Sequence, residues 1–151
     1  MDRFDRIPET ALGWHRAGRG AALATVVETW GSAPRRIGAQ LAVSGEGEIE
    51  GSVSGGCVEG AVVAEALEAI GDGAPRLLTF GVSDEDAFAV GLACGGTIRV
   101  LVEPVGTALP EALLETLVAH RTERRPVAHV ADLEGARPPR LETEGHAERF
   151  R

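Results

Sequence analysis

Residues 38–70 read GAQLAVSGEGEIEGSVSGGCVEGAVVAEALEAI, and this stretch decides the fold. Residues 38–44 have the composition of a strand. The turn Gly45-Glu46-Gly47 leads to a further strand over roughly 48–53, so the two form a hairpin. A glycine pair, Gly55-Gly56, follows at once. From about Cys57 the period changes to that of a helix, with Val58, Ala61, Val62, Ala66, Leu67 and Ile70 apolar and Glu59, Glu65 and Glu68 on the surface. Gly71 is the expected stop. One segment therefore carries strand, turn, strand, glycine-rich loop and helix, which is an α/β pattern.

Working outward gives the rest. Upstream, AALATVVETW (21–30) reads as a strand broken by Gly31-Ser32-Ala33-Pro34. Before it, Phe4, Ile7, Ala11, Leu12 and Trp14 mark a helix over 4–18, ended by Gly18-Arg19-Gly20. Downstream, PRLLTF (75–80) is a short strand. Ser83 caps a brief helix over 84–89, with Asp84, Glu85 and Asp86 in its first turn. TIRVLVE (97–103) is a clear strand ending at Pro104. Residues 109–123 read as a helix and 126–133 as a last strand. From Glu134 the chain turns polar and proline-rich, so residues 134–151 are expected to be a frayed tail or a truncated linker. The expectation is α/β: a mixed β-sheet with flanking helices in a single compact domain over residues 1–133.

Composition bounds the partners. The chain has 151 residues, 44% of them hydrophobic and 25% charged, which suits one folded domain. Aromatic residues are scarce, so the core rests on Ala, Val, Leu and Ile. The net charge is −8 with no basic stripe, so nucleic acid and anionic membrane surfaces are not expected as partners. The N-terminus has no apolar signal region, and no apolar run approaches the length of a membrane span. A cytoplasmic location is expected. Two cysteines do not make a disulfide framework; they are core residues, metal ligands or reactive thiols.

Four loops carry candidate chemistry. In Gly51-Ser-Val-Ser-Gly-Gly-Cys-Val-Glu-Gly60, a strand gives way to a helix. The first amides of a helix lack internal partners and carry the positive end of its dipole, and Gly55 and Gly56 let a ligand come close, so an anion site is expected there. Ser54 can cap the helix or donate to an oxyanion. Cys57, in the first turn, would have a lowered thiol pKa and serve as nucleophile or soft metal ligand. A tight turn with Cys57 as a small core residue is the plainer alternative. In Gly91-Leu-Ala-Cys94-Gly95-Gly96, the second cysteine also stands beside a glycine pair. In Gly31-Ser-Ala-Pro-Arg35-Arg36, either arginine could grip a phosphate, or simply be solvated. In Gly81-Val-Ser-Asp-Glu-Asp86, the acidic cluster fits a helix start better than a metal site. Glu59 could act as an acid or base near Cys57, or be an ordinary surface residue. His15, His120, His129 and His146 are scattered without ligand spacing. The nucleophile elbow, the phosphate-binding Walker loop and the dinucleotide fingerprint are absent.

The stretches ETWGSAPRRIGAQLAV, GSVSGGCVEGAVVAEALE and FGVSDEDAFAVGLACGGTIRVLVEPV, in that order over roughly residues 10–105, resemble the N-terminal domain of the XdhC/CoxI family. The resemblance implies a protein that binds molybdenum cofactor, a pterin dithiolene with a phosphate and in some forms a nucleotide. Such a protein assists the terminal sulfuration of the cofactor and delivers it to a molybdenum hydroxylase of the xanthine dehydrogenase or carbon monoxide dehydrogenase type. It implies that Cys57 and Cys94 ligate molybdenum or carry sulfur, and that Ser54, Gly55, Gly56, Arg35, Gly95 and Gly96 complete the cofactor site. The implied partners are the client hydroxylase and a cysteine desulfurase, with a homodimer as the expected assembly. Many members carry a second, Rossmann-like domain, for which this sequence has no fingerprint. Two other readings stay open: a thiol-dependent enzyme acting on a phosphorylated or nucleotide substrate with Glu59 as base, and a partner-docking module without its own cofactor.

Overall fold

The structure is a computed structural model that describes residues 6–31, 35–56, 58–81 and 96–143. Its elements run α1 (Ile7–Arg16), β1 (Ala21–Trp30), β2 (Gln40–Ser44), β3 (Ile49–Gly51), α2 (Glu59–Asp72), β4 (Arg76–Phe80), β5 (Thr97–Pro104), α3 (Glu111–Thr122), β6 (Ala128–Val130) and β7 (Arg140–Glu142). The main sheet has five strands in the order β3-β2-β1-β5-β4. Each neighbouring pair in it is antiparallel. The α/β reading, a sheet flanked by helices in one compact domain, is what the chain adopts.

Strand β1 lies at the centre and is covered on both faces. That is why AALATV is apolar without alternation. Ala22, Ala24 and Val26 pack with Ile98, Val100 and Val102 of β5 under Val62, Ala66 and Ala69 of α2. The alternate residues Ala21 and Leu23 pack on the other face with Ala11 and Leu12 of α1 and Leu114 and Leu117 of α3. The result is three layers with the sheet in the middle. Residues opposite each other in an antiparallel pair share a face, so the register carries the two clusters across from β1 to β5.

A bulge interrupts β1 at Val27. Val26 pairs with Val100, but Glu28 pairs with Arg99. The extra residue turns Glu28 off the face that α2 covers. Its Oε1 accepts a hydrogen bond from the Arg99 guanidinium at 2.9 Å. Without the bulge, period-2 alternation would aim the carboxylate at the apolar layer.

Three local expectations shift. Helix α2 starts at Glu59 rather than at about Cys57, because Val58 has a non-helical φ (−126°) and serves as the N-cap. It runs through Gly71 and stops at Gly73, which adopts the left-handed φ of 76° and donates its N–H to Ala69 O. A helix tolerates glycine in its body; the left-handed cap is the position that calls for one. Finally, the polar C-terminal stretch is not wholly a tail. Arg140–Glu142 pairs with β6 as a two-stranded ribbon, with Leu141 opposite His129. Leu141 and Val127 pack against the α1–α3 layer. The brief helix expected over 84–89 lies outside the described residues.

Candidate functional site

Antiparallel topology gathers the motif loops. β1 leaves the sheet at Trp30 and β2 enters it at Gln40, so Arg35 sits in the loop at that end. β3 leaves at Gly51, opposite Leu41, at the same end. β5 enters at Thr97, opposite Trp30, directly after the Cys94 motif. Three loops distant in sequence therefore open on one end of the sheet. A Cβ built on Gly31 would lie 3.6 Å from the Cα of Gly96, so two of them touch. Helix α2 points its N-terminus the same way. Its other end is fixed at the opposite side of the sheet, where a Cβ on Gly73 would meet Thr107 at 3.2 Å and one on Gly20 would meet Ile70 at 3.0 Å.

The loop from Ser52 to Gly56 is tied down by one carboxylate. Glu59 Oε2 accepts hydrogen bonds from the Ser52 hydroxyl (2.7 Å) and from the Val53 and Ser54 amides (both 3.0 Å). Glu59 Oε1 accepts the Ser54 hydroxyl and the Gly56 amide, the latter at 2.9 Å. The two serines pass the constraint on. Gly55 N–H donates to Ser52 Oγ at 2.8 Å, and Val58 N–H to Ser54 Oγ at 2.9 Å. The amides of Gly55, Gly56 and Val58 are thus satisfied from within. Ser54 is buried, and the oxyanion to which it donates is the chain's own Glu59. Val53 and Val58, on either side of the loop, sink into the layer between α2 and the sheet.

Burial raises the Glu59 pKa, but the hydroxyls of Ser54 and Ser52 and the amides of Ser54 and Val53 outweigh it and hold the carboxyl at about 2, against an ordinary 4.5. Such a carboxylate is too weak a base to accept a thiol proton near neutrality. The expected acid–base role of Glu59 gives way to a structural one, and the thiol-enzyme reading loses the base that the sequence offered for it. A depressed folded-state pKa means the unfolded chain takes up the proton first as pH falls. The stability from Glu59 is complete above 4.5 and disappears as pH drops through about 2. Melting curves of wild type and Glu59→Gln between pH 7 and 2 check this: the gap in melting temperature should narrow below pH 4.5. A constant gap would contradict the assignment.

The expected site residues fall out as follows. Gly55 and Gly56 are exposed, with left-handed φ of 72° and 114°. Arg35 is exposed in the neighbouring loop. Gly96 is buried against Gly31. Cys57, Cys94, Gly95 and the acidic cluster 84–86 lie outside the described residues. Ser52 was not singled out by the sequence, although it braces the loop. The available signal was its spacing: Ser52 and Ser54 precede Glu59 by seven and five residues, close enough for one carboxylate to reach both across the glycine turn. Among the described residues no group of three or more His, Cys, Asp or Glu could hold a metal. No helix among them is long and apolar enough to cross a membrane.

Comparison with known proteins bears on the same segments. Residues 14–81 match the model of the XdhC and CoxI family, a span that includes Arg35, the 52–59 loop and Cys57 but not Cys94. The chain is 40% identical over 111 residues to the molybdenum cofactor insertion chaperone PaoD of Escherichia coli strain K12, covering 74% of this chain and 34% of the relative. It is 36% identical over 88 residues to a probable xanthine dehydrogenase subunit of Bacillus subtilis strain 168, covering 56% of this chain and 26% of the relative. Among solved structures, a xanthine dehydrogenase from Bacillus halodurans superposes with a TM-score of 0.58 at 29% identity, over 74% of this chain and 35% of that one. The chain spans about a third of the length of these proteins or less.

Proposed function

The chain belongs to the XdhC and CoxI family, and on that premise we propose that it is a molybdenum-cofactor maturation factor. It binds the cofactor, shields it, assists its sulfuration and delivers it to a molybdenum hydroxylase of the xanthine dehydrogenase or carbon monoxide dehydrogenase type. The observation that carries this reading is the convergence of the three motif loops on one end of the sheet. Cys57 is the principal thiolate, as ligand to molybdenum or carrier of sulfur. Cys94 is the second soft group, flanked by Gly95 and Gly96. Thiolates suit a soft metal, and a bare glycine loop suits close approach by a bulky ligand. Gly55 and Gly56 fill that second need, since they are exposed while their amides are already bonded. Arg35 supplies the cation for the phosphate, and Ser54 acts at one remove by shaping the loop. The cofactor, when bound, supplies the molybdenum centre that the client uses; the chain itself performs no reaction on the client's substrate. Its setting is the cytoplasm, its sulfur source a cysteine desulfurase, and its assembly a homodimer.

Purification of wild type and Cys57→Ala with molybdopterin tests the reading. Wild type should retain cofactor through gel filtration, and the variant should lose at least nine-tenths of it, since removing a charged anchor costs roughly a factor of ten or more. Equal retention would remove Cys57 from the site. Failure of wild type to retain any would overturn the function.

A further inference from the structure

The face of the sheet opposite α2 is covered over only part of its area. The α1–α3 layer packs on Ala21 and Leu23 of β1, on Ala42 of β2 and on Val105 and Leu109 beyond β5. Among the described residues, none of β4 or β5 belongs to that layer. On this side the register sets Thr25 opposite Leu101 and Trp30 opposite Thr97. Opposed residues share a face, and alternate residues of β5 stay on it, so Trp30, Thr25 and Leu101 all lie on the side away from α2.

A recess of about 540 Å³ opens in this face. Thr25, Val27 and Leu101 form its floor, the 128–133 segment its far wall and Ile37 its rim. Glu103 and His129 also line it, but the carboxylate is only 3% exposed and its Oε2 faces His129 Nε2 at 3.5 Å. Ile37 is 63% exposed, and Trp30, farther along the same face, is 51% exposed. They are the most exposed large hydrophobic side chains among the described residues. Single exposed apolar residues are ordinary, but a pair of them beside an apolar recess marks an interaction surface.

Charge is divided across the recess. Arg36 precedes Ile37 on the β2 side; Asp132 and Glu134 flank Leu133 on the β4 side, with Arg137 beyond them. Arg36 and Glu134 are exposed, and among the described residues neither has an ion-pair partner. The surface thus carries projecting apolar groups and a hollow, a cation and an anion, around one centre. A two-fold axis through the recess exchanges each with its complement, which is the pattern of an isologous contact. An unrelated partner would have to supply both complements; a second copy of this chain already has them.

We propose that this face is the interface of a homodimer, with Trp30 and Ile37 of each copy packed into the recess of the other and Arg36 of each paired with Glu134 of the partner subunit. The interface rests on the homodimer of the reading above and gives it a surface. Helix α2 lies on the opposite face, so the loop that Glu59 braces stays open in both copies.

Sedimentation equilibrium of the cofactor-free full chain tests this. Trp30→Glu and Ile37→Glu should each raise the dimer dissociation constant at least about tenfold, as truncating a central apolar anchor does. Leu67→Glu, at an exposed position of α2, should leave it unchanged. Arg36→Glu and Glu134→Arg should each weaken the dimer at least about fivefold, because each sets like charges together twice. Mixing those two variants should restore it, since every contact across the two-fold axis then pairs opposite charges. In wild-type protein, dilution should shift tryptophan emission to the red as Trp30 returns to water, a readout that needs no variant to fold. A monomer at every concentration, a dimer indifferent to Trp30→Glu and Ile37→Glu, or no recovery on mixing would each overturn the interface. The result is separable from the Cys57 experiment. A monomer that retains cofactor keeps the function and loses the interface; a dimer that meets these expectations but retains no cofactor does the reverse.

Discussion

Glu59→Ala is expected to destabilise the fold by about 3–5 kcal/mol and to loosen the loop that carries Cys57. The carboxylate accepts five hydrogen bonds, two from hydroxyls and three from amides. Val53 and Ser54 are fully buried, so their amides lose their partner without gaining water. Each such orphan costs about 1–3 kcal/mol. Ser52 and Ser54 then also lose the constraint that aims them at Gly55 and Val58. Urea denaturation measures the first effect, with a loss below about 1 kcal/mol contradicting the tie. Iodoacetamide labelling of Cys57, read by peptide mass, measures the second: the rate should change in Glu59→Ala and move less in Glu59→Gln, which keeps an acceptor oxygen. Identical rates in all three would mean that Glu59 does not govern the loop.

Gly51→Val is the second large effect, expected at about 3 kcal/mol or more. Gly51 ends β3 with φ of 96°, where a side chain is strained whatever the space. A Cβ there would lie 2.4 Å from the Gln40 carbonyl oxygen and 2.7 Å from Ile7 Cδ1. The carbonyl cannot retreat, because it accepts the Ser52 amide at 2.9 Å and thereby starts the 52–59 loop. The damage should reach both β3 and the site. Gly60→Ala is the matching control. It sits inside α2, a Cβ there would meet nothing within 4 Å, and helix propensity predicts a gain of about 0.5–1 kcal/mol. Melting temperatures of the three proteins decide the matter. A Gly51→Val protein as stable as wild type would show that residue 51 is not held at the left-handed φ against the Gln40 carbonyl.

Much of the fold was legible because the signal is local. The strand at 21–30 coincides with β1, and TIRVLVE extends by one residue to Pro104 in β5. Both are runs of β-branched and small apolar residues bounded by glycine or proline, and such runs need no distant information. The end of α2 was less legible. Gly71 and Gly73 are equivalent as letters, and only the chain path toward β4 decides which adopts the left-handed cap. Arg140–Glu142 was not legible, because its pairing with β6 depends on a surface that α1 and α3 build.

For the candidate site, the sequence by itself determined the parts. Glycine pairs beside Cys57 and Cys94, and arginines after a proline turn, are statements about local backbone freedom and charge. Tertiary structure decided their relation and their state. Antiparallel pairing brings three loops to one end of the sheet, which no local pattern encodes because it depends on which strands become neighbours. The hydroxyls and amides folded around Glu59 then reassign it from a candidate base to a fixed anion, since their hydrogen bonds outweigh the cost of burying its charge. Folding also buries Glu103, one acidic residue in an apolar strand, and gives His129, an ordinary histidine in the sequence, its place beside it.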